Sequence, residues 1–376
     1  MTNHAVLSAS ASHRWLNCPP SVRLTERIPD NGSIYAAEGS EAHELCEYKL
    51  RQLLGMEAHN PLDTPIGLQY YDGTMEDAAT GYAAFVLELL EEIRKTCSDP
   101  IVMVEQKLDY SRWVKDGYGT GDAVIVADGT LHVVDFKYGT GVRVSAEGNS
   151  QMRLYALGAL DMFGELYDID TVVTTIYQPR LASISTDTIS KDDLLDWAEN
   201  ALRPLADQAY KGEGDLNAGS WCRFCKLRNT CRKRAEANLA MAQHDFKLPP
   251  TLSDEEIAVI LDKLDNLISW AGDVKEYALN AALHGTRFHG WKLVEGRSNR
   301  RYTDEAAVAQ IVSDTGRDPY EHKLLGITAM EKLLGKKQFA TLLSDLVERP
   351  QGKPVLVPAS DKRPEMTNAK NDFANN

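Results

Sequence analysis

No run in the 376-residue sequence approaches the ~18–20 consecutive apolar residues that a bilayer-crossing helix requires, so a membrane-spanning helix is excluded. The opening stretch, MTNHAVLSASASHRWLNCPP, lacks a basic segment followed by an apolar core. A secretory signal is therefore not expected, and a cytoplasmic location is. Cysteine is scarce: six residues, Cys18, Cys46, Cys97, Cys222, Cys225 and Cys231, too few and too unevenly spread for a secreted disulfide scaffold. Positive charge is in deficit, with a formal net charge of −14, which weighs against non-specific attraction to polyanions by the molecule as a whole. No internal repeat is visible, so a solenoid or propeller is not expected.

What is present is ordinary for a globular chain: 43% hydrophobic and 26% charged residues, enough to build a core, over a length that suits one large domain or two ordinary ones. The cations that do occur are clustered. Residues 222–234 (CRFCKLRNTCRKR) carry Arg223, Lys226, Arg228, Arg232, Lys233 and Arg234, and 287–301 carry Arg287, Lys292, Arg297, Arg300 and Arg301. If these patches face a phosphate backbone, global acidity is no obstacle to a DNA partner; the plainer reading is solvated surface charge.

The order of elements is mixed. Helical spacing covers 40–54, with Ser40 as the expected N-cap, and 76–96. Strand-like runs follow at 101–108, 122–126, 131–137 and 171–178, with a helix at 150–160 between the last two and another over 190–210. Beyond residue 250 the pattern turns mainly helical: a long helix opens on a Ser253–Glu256 capping box, a short strand-like WKLVEG follows, and helices are expected near 304–314 and 327–347. Residues 351–376 are polar with scattered prolines and read as a flexible tail. The expected class is α/β, a central mixed sheet flanked by helices, with a C-terminal mainly helical domain over 250–350.

Chemistry concentrates in GDAVIVADGTLHVVDFK, residues 121–137. Asp128-Gly129 between two β-rich runs predicts a two-residue hairpin of type I′. Counting outward pairs Ala127 with Thr130, Val126 with Leu131, Val124 with Val133 and Asp122 with Asp135, while Lys137 shares the face of Asp135. Two adjacent carboxylates repel each other and want a cation; aspartate oxygens suit Mg²⁺ or Mn²⁺, and a neighbouring ammonium suits a phosphate that gains charge. The plainer alternative leaves both acids at solvated strand ends, with Lys137 as their ion-pair partner.

Gln151 and Tyr155 lie one turn apart on one helix face, His43 sits in the early helix, and Glu105 near the end of the strand before Asp122 is a further acidic candidate. Cys222 and Cys225 form a CxxC, Cys231 follows, and Cys18 is the natural fourth ligand, leaving Cys46 and Cys97 as structural thiols. Four thiolates suit either zinc or a [4Fe–4S] cluster, and spacing does not choose between them.

The G-D…D-F-K hairpin followed by Q-x-x-x-Y resembles the PD-(D/E)XK nuclease core in its RecB-type branch. Gly121 stands where the motif has proline, and Asp135 where glutamate is commoner. The distant cysteine plus terminal CxxC-x5-C is similar to the iron–sulfur staple of AddB-type nucleases and CRISPR-adaptation exonucleases. The resemblance spans 1–240, and the whole chain resembles a prophage-encoded family with this core. It implies a nuclease domain closed by a [4Fe–4S] cluster on Cys18, Cys222, Cys225 and Cys231, with zinc as the alternative. It also implies Mg²⁺ or Mn²⁺ held by His43, Asp122, Asp135 and the Phe136 carbonyl, Lys137 as the catalytic cation, and Gln151 and Tyr155 supporting the site. The expected activity is a metal-dependent deoxyribonuclease, an exonuclease by preference. It would act on DNA in phage recombination or end processing in a bacterial host cytosol, with a helicase or recombination protein as a further partner. The rival expectations are a non-catalytic DNA-binding scaffold that keeps the fold and a zinc-ribbon interaction module.

Overall fold

The computed structural model describes residues 5–29, 32–64, 66–240, 254–294, 303–320, 324–343 and 346–347. The chain divides into two compact units, Met1–Ala281 and Ala282–Asn376. Composition placed the change of domain between 240 and 250. The division falls later because helix α9 (Asp254–Leu283) is tied into the first unit: its Asp273 is gripped by Arg228 (3.1 Å) and Arg234. The expected tail at 351–376 lies outside the described residues, and so does Ser253 of the expected capping box.

The first unit is α/β. Its five-stranded mixed sheet runs β1 (Ile101–Asp109), β2 (Tyr118–Ala127), β3 (Gly129–Phe136), β4 (Ile169–Gln178) and β5 (Ser183–Ser190), side by side in that order. Every neighbouring pair is antiparallel except β3 and β4, which run parallel. That parallel step needs a crossover, and helix α5 (Ser150–Phe163) supplies it. Strand alternation sends side chains to two separate cores. Val124, Val126, Leu131 and Val133 pack with α5 and its Leu154 and Leu157. Ala123, Ile125, Val134 and Phe136 pack against α3 (Ile34–Leu53) and α4 (Gly73–Ile93) on the opposite face. Sequences buried on both faces form such central strands, and β2 and β3 read as near-continuous apolar runs for that reason.

The hairpin keeps the expected register: Ala127 pairs with Thr130, Val126 with Leu131 and Val124 with Val133. The turn is not type I′, which needs positive φ at both central residues. Only Gly129 is left-handed (φ +84°). Its amide donates to the Asp168 carbonyl at 2.6 Å, which draws the turn toward β4.

Three element boundaries differ from expectation. Helix α3 starts at Ile34, capped by Ser33 accepting from the Ala36 amide; Ser40 lies mid-helix and donates back to the Ala36 carbonyl. The stretch 190–210 is α6 (Lys191–Trp197) and α7 (Arg203–Lys211) joined by a π-turn at Ala198–Leu202, beside Pro204, whose missing N–H cannot serve a regular helix. Strand β5 was not foreseen, because SISTDTIS is a polar edge strand with two isoleucines.

In the second unit α10 (Glu305–Ser313) occupies the expected helix. The expected 327–347 helix is α11 (Ile327–Leu334) and α12 (Lys336–Leu343), broken at Gly335 with φ +76°. The strand-like 291–296 is not a strand where described: Trp291–Val294 pair with no strand, and Trp291 is 85% exposed. Among the described residues no helix is long and apolar enough to cross a membrane.

Candidate metal centre and cysteine cavity

The β2–β3 ladder ends at Ala123–Val134. One step further the strands part, and the Asp122 carboxylate fills the gap: its Oδ2 accepts the Phe136 amide at 2.7 Å, the bond a backbone carbonyl would otherwise take. Its Oδ1 lies 3.2 Å from His43 Nδ1 on α3, and the Phe136 ring stands edge-on to that imidazole at 5.4 Å. On the other side of Asp122, strand β1 breaks step. Val104 pairs with Ala123 and Gln106 with Gly121, so Glu105 lies opposite Asp122 but outside the ladder, with φ +51°. A left-handed glutamate costs on the order of 1–3 kcal/mol and persists only where surroundings impose it. Ligating atoms of His43, Glu105 and Asp122 all lie within 4.8 Å of one another.

Asp135 sits on β3 as expected, 2% exposed. Lys137 Nζ is 2.8 Å from its Oδ2 as an ion pair, though no hydrogen bond of good geometry reaches that buried oxygen. Gln151 Nε2 donates to Oδ1 at 3.1 Å and lies 3.2 Å from the Tyr155 hydroxyl. Helix α5 is aimed here by Asn149, whose side chain caps the amides of Gln151 and Met152. The two aspartates therefore have different company. The convergent donor set is His43, Glu105 and Asp122, whereas Asp135 is engaged by Lys137 and Gln151. Glu105, weighed on sequence as a strand-end acid, belongs at the centre. Its only signal was position, since nothing in MVEQKL announces a left-handed residue.

Electrostatics say what the site lacks. Burial, then the Asp122 charge, lifts Glu105 to about 7. Burial also raises Asp135, with Lys137 opposing and Asp122 adding to the shift. Burial opposes the charge of Asp122, but His43, Lys137 and the Phe136 amide hold its carboxyl below the ordinary range. His43, which burial alone would lower, is lifted to about 8 chiefly by Asp122. Lys137 is lowered by burial but raised overall by Asp135 and Asp122. Three carboxylates crowded where β3 parts from β2 want more positive charge than His43 and Lys137 provide. A hard divalent cation with oxygen and imidazole ligands fits that deficit and the orphaned Asp135 oxygen.

The four cysteines singled out on sequence line a single cavity of about 200 Å³. Cys18 ends helix α1 (Ser12–Asn17), Cys222 lies in a 3-10 turn (Ser220–Phe224), Cys225 follows it, and Cys231 starts α8 (Arg232–Leu239). All four are free thiols, and burial followed by neighbouring thiols raises Cys225, in part through Cys231 and Cys18. No three of these sulfurs lie within 4.8 Å of one another. Arg14, Arg228, Arg232 and Arg234 also line the cavity. Cys46 and Cys97 are buried in the α3–α4 core instead.

The six cations of 222–234 divide. Arg228 and Arg234 turn inward onto Asp273, Arg234 being 4% exposed, while Arg223, Lys226, Arg232 and Lys233 stay at the surface. Of the second basic patch, Arg287 and Lys292 are exposed and Arg297, Arg300 and Arg301 lie outside the described residues.

The profile of a family described as "Protein of unknown function (DUF2800)" matches residues 4–364. Among solved structures the chain is similar to one titled "Crystal structure of SSO0001", at 13% identity and a TM-score of 0.24, covering 59% of this chain and 96% of that one. A likeness so slight carries no inference about fold or activity.

Proposed function

The chain belongs to the DUF2800 family, and we propose that it is a divalent-metal-dependent deoxyribonuclease with a PD-(D/E)XK core, hydrolysing phosphodiester bonds at DNA ends. One observation carries the reading. His43, Glu105 and Asp122 bring ligating atoms within 4.8 Å where the β2–β3 ladder stops, and the Asp135–Lys137 ion pair lies at the end of β3. Structural ion pairs seldom gather three carboxylates, one buried and two half-buried, at a strained backbone position, and catalytic metal sites do.

His43, Glu105, Asp122, Asp135 and the Phe136 carbonyl would hold Mg²⁺ or Mn²⁺. When bound, the ion supplies Lewis-acid polarisation of the phosphate and acidifies a water nucleophile. Lys137 keeps its proton beside Asp135, so its part is to orient the attacking water and offset charge on the phosphate oxygens as one ester oxygen departs. Gln151 fixes Asp135 from the α5 side, and Tyr155 fixes Gln151. The cysteine cavity is read as a [4Fe–4S] site, with zinc as the alternative: the family resemblance favours the cluster, and arginines around the cavity suit an anionic one. A role in phage recombination or end processing in a host cytosol, alongside a helicase or recombination protein, follows from the family resemblance.

The test is incubation of purified protein with end-labelled linear and circular DNA, with and without Mn²⁺. Linear DNA should shorten from its ends only with metal, and Asp135→Ala and Lys137→Ala should abolish this. Cleavage undiminished in either variant rejects the reading. DNA binding with no metal-dependent turnover would favour a non-catalytic scaffold, and a colourless, zinc-containing protein would favour a zinc ribbon.

A further inference from the structure

The most exposed aromatic beside the cysteine cavity is Phe224, 78% accessible. It lies in a segment, 220–234, with six cations and no acidic residue, inside a protein of net charge −14. The Arg223 guanidinium lies over its ring at 5.9 Å from the centroid, and Trp221 meets His13 edge-on at 5.9 Å.

Contacts tie this turn to segments that flank the carboxylate centre. Arg223 donates to the Gly141 carbonyl at 3.4 Å, in the loop that leaves β3 directly after Lys137. His13 lies 3.3 Å from the Ser220 hydroxyl, and Ser12 lies 2.6 Å from Ser150, the neighbour of Gln151 at the start of α5. These bonds tie the aromatic turn to the segment that follows Lys137 and, through Ser12, to the first turn of α5.

We propose that Arg223 and Phe224 form a stacking platform for an unpaired nucleobase of the strand entering the centre. A protein partner would seat a lone aromatic in an apolar surround; here the surround is cationic, and the ring offers a flat face beside groups that pair with phosphate. A duplex keeps its bases stacked on each other and has no face to offer Phe224, so the platform distinguishes unpaired from paired ends. This rests on the reading of the neighbouring centre as one that cuts DNA.

The experiment measures binding, not cleavage. A fluorescein-labelled single-stranded oligonucleotide and its blunt duplex are titrated in EDTA with full-length protein, Phe224→Ala, Phe224→Trp and Arg223→Ala. Phe224→Ala should weaken single-strand binding between about fivefold and a hundredfold while changing duplex binding less than about twofold, and Phe224→Trp should restore it. The salt dependence should keep its slope in Phe224→Ala and lose about one phosphate's worth in Arg223→Ala. Equal losses for single strand and duplex, no loss in Phe224→Ala, or no single-strand binding by the unaltered protein would each overturn the platform. Because no metal is present, absence of nuclease activity in a separate assay would reject the catalytic reading and leave this contrast standing or falling alone.

Discussion

The carboxylate centre and the cysteine cavity lie in the same unit and are built on opposite principles. The first is mounted on strands whose register is set by two hydrophobic cores, and its charges already have partners: His43 with Asp122, Lys137 with Asp135, Gln151 with Asp135. The second is assembled from helix ends and a 3-10 turn, its four thiols drawn from as far apart in the chain as Cys18 and Cys231. Scaffold geometry can hold a metal centre ready before any ion arrives. A site made of turns depends on what it binds, or on clamps such as Arg228 and Arg234 on Asp273, to keep its shape.

The sharpest way to break this contrast is to cripple one region and watch the other. Asp135→Ala or Lys137→Ala should lower cleavage by about 10²–10³-fold or more, with iron content and unfolding midpoint of the cysteine site unchanged. Arg234→Ala strips the buried partner from Asp273 and should destabilise the protein by about 3–5 kcal/mol in denaturant titration, with loss of bound iron but unaltered Mn²⁺ affinity in the fraction that remains folded. Cys225→Ser should abolish iron binding and cost about 2.7–4.1 kcal/mol, the stabilisation a ligand gives at 100 to 1,000 times its dissociation constant.

A subtler pair concerns the centre without metal. His43 is raised to about 8 from 6.5, so its pairing with Asp122 contributes fully below pH 6.5 and is lost as pH rises through 8. Glu105, raised to about 7, has the same sign: burial penalises its charged form, so stability drops as pH climbs from 4.5 through 7. Metal-free protein should therefore be less stable at pH 9 than at pH 6, by about 2 kcal/mol from His43 alone, and Mn²⁺ should erase the difference. Chemical denaturation at the two pH values, with and without Mn²⁺, checks this. Smallest of all, Glu105→Gly should gain roughly 1 kcal/mol in EDTA by relieving its left-handed backbone while weakening Mn²⁺ binding in calorimetry.

Much of this was legible in the residues. The hairpin register followed from Asp128-Gly129 and alternating apolar residues, because a buried sheet tolerates no slip. The cysteine grouping followed from arithmetic over Cys18, Cys222, Cys225 and Cys231, since a distant thiol has few reasons to be matched except by a shared cavity. What escaped was set by tertiary context. A polar edge strand such as β5 has no hydrophobic pattern to detect. The left-handed Glu105 depends on β1 breaking step with β2, which no local propensity encodes. The inward turn of Arg228 and Arg234 depends on Asp273, remote in sequence, so a basic run read as surface steering is partly a structural clamp.

The central claim is that the carboxylate centre holds a divalent ion, and crystals of the full chain loaded with Mn²⁺ test it most directly through anomalous scattering. The account predicts a peak between His43 Nδ1, the Glu105 carboxylate and Asp122, next to the Asp135–Lys137 pair. A clean map with no peak there, or Mn²⁺ bound only elsewhere, would contradict it.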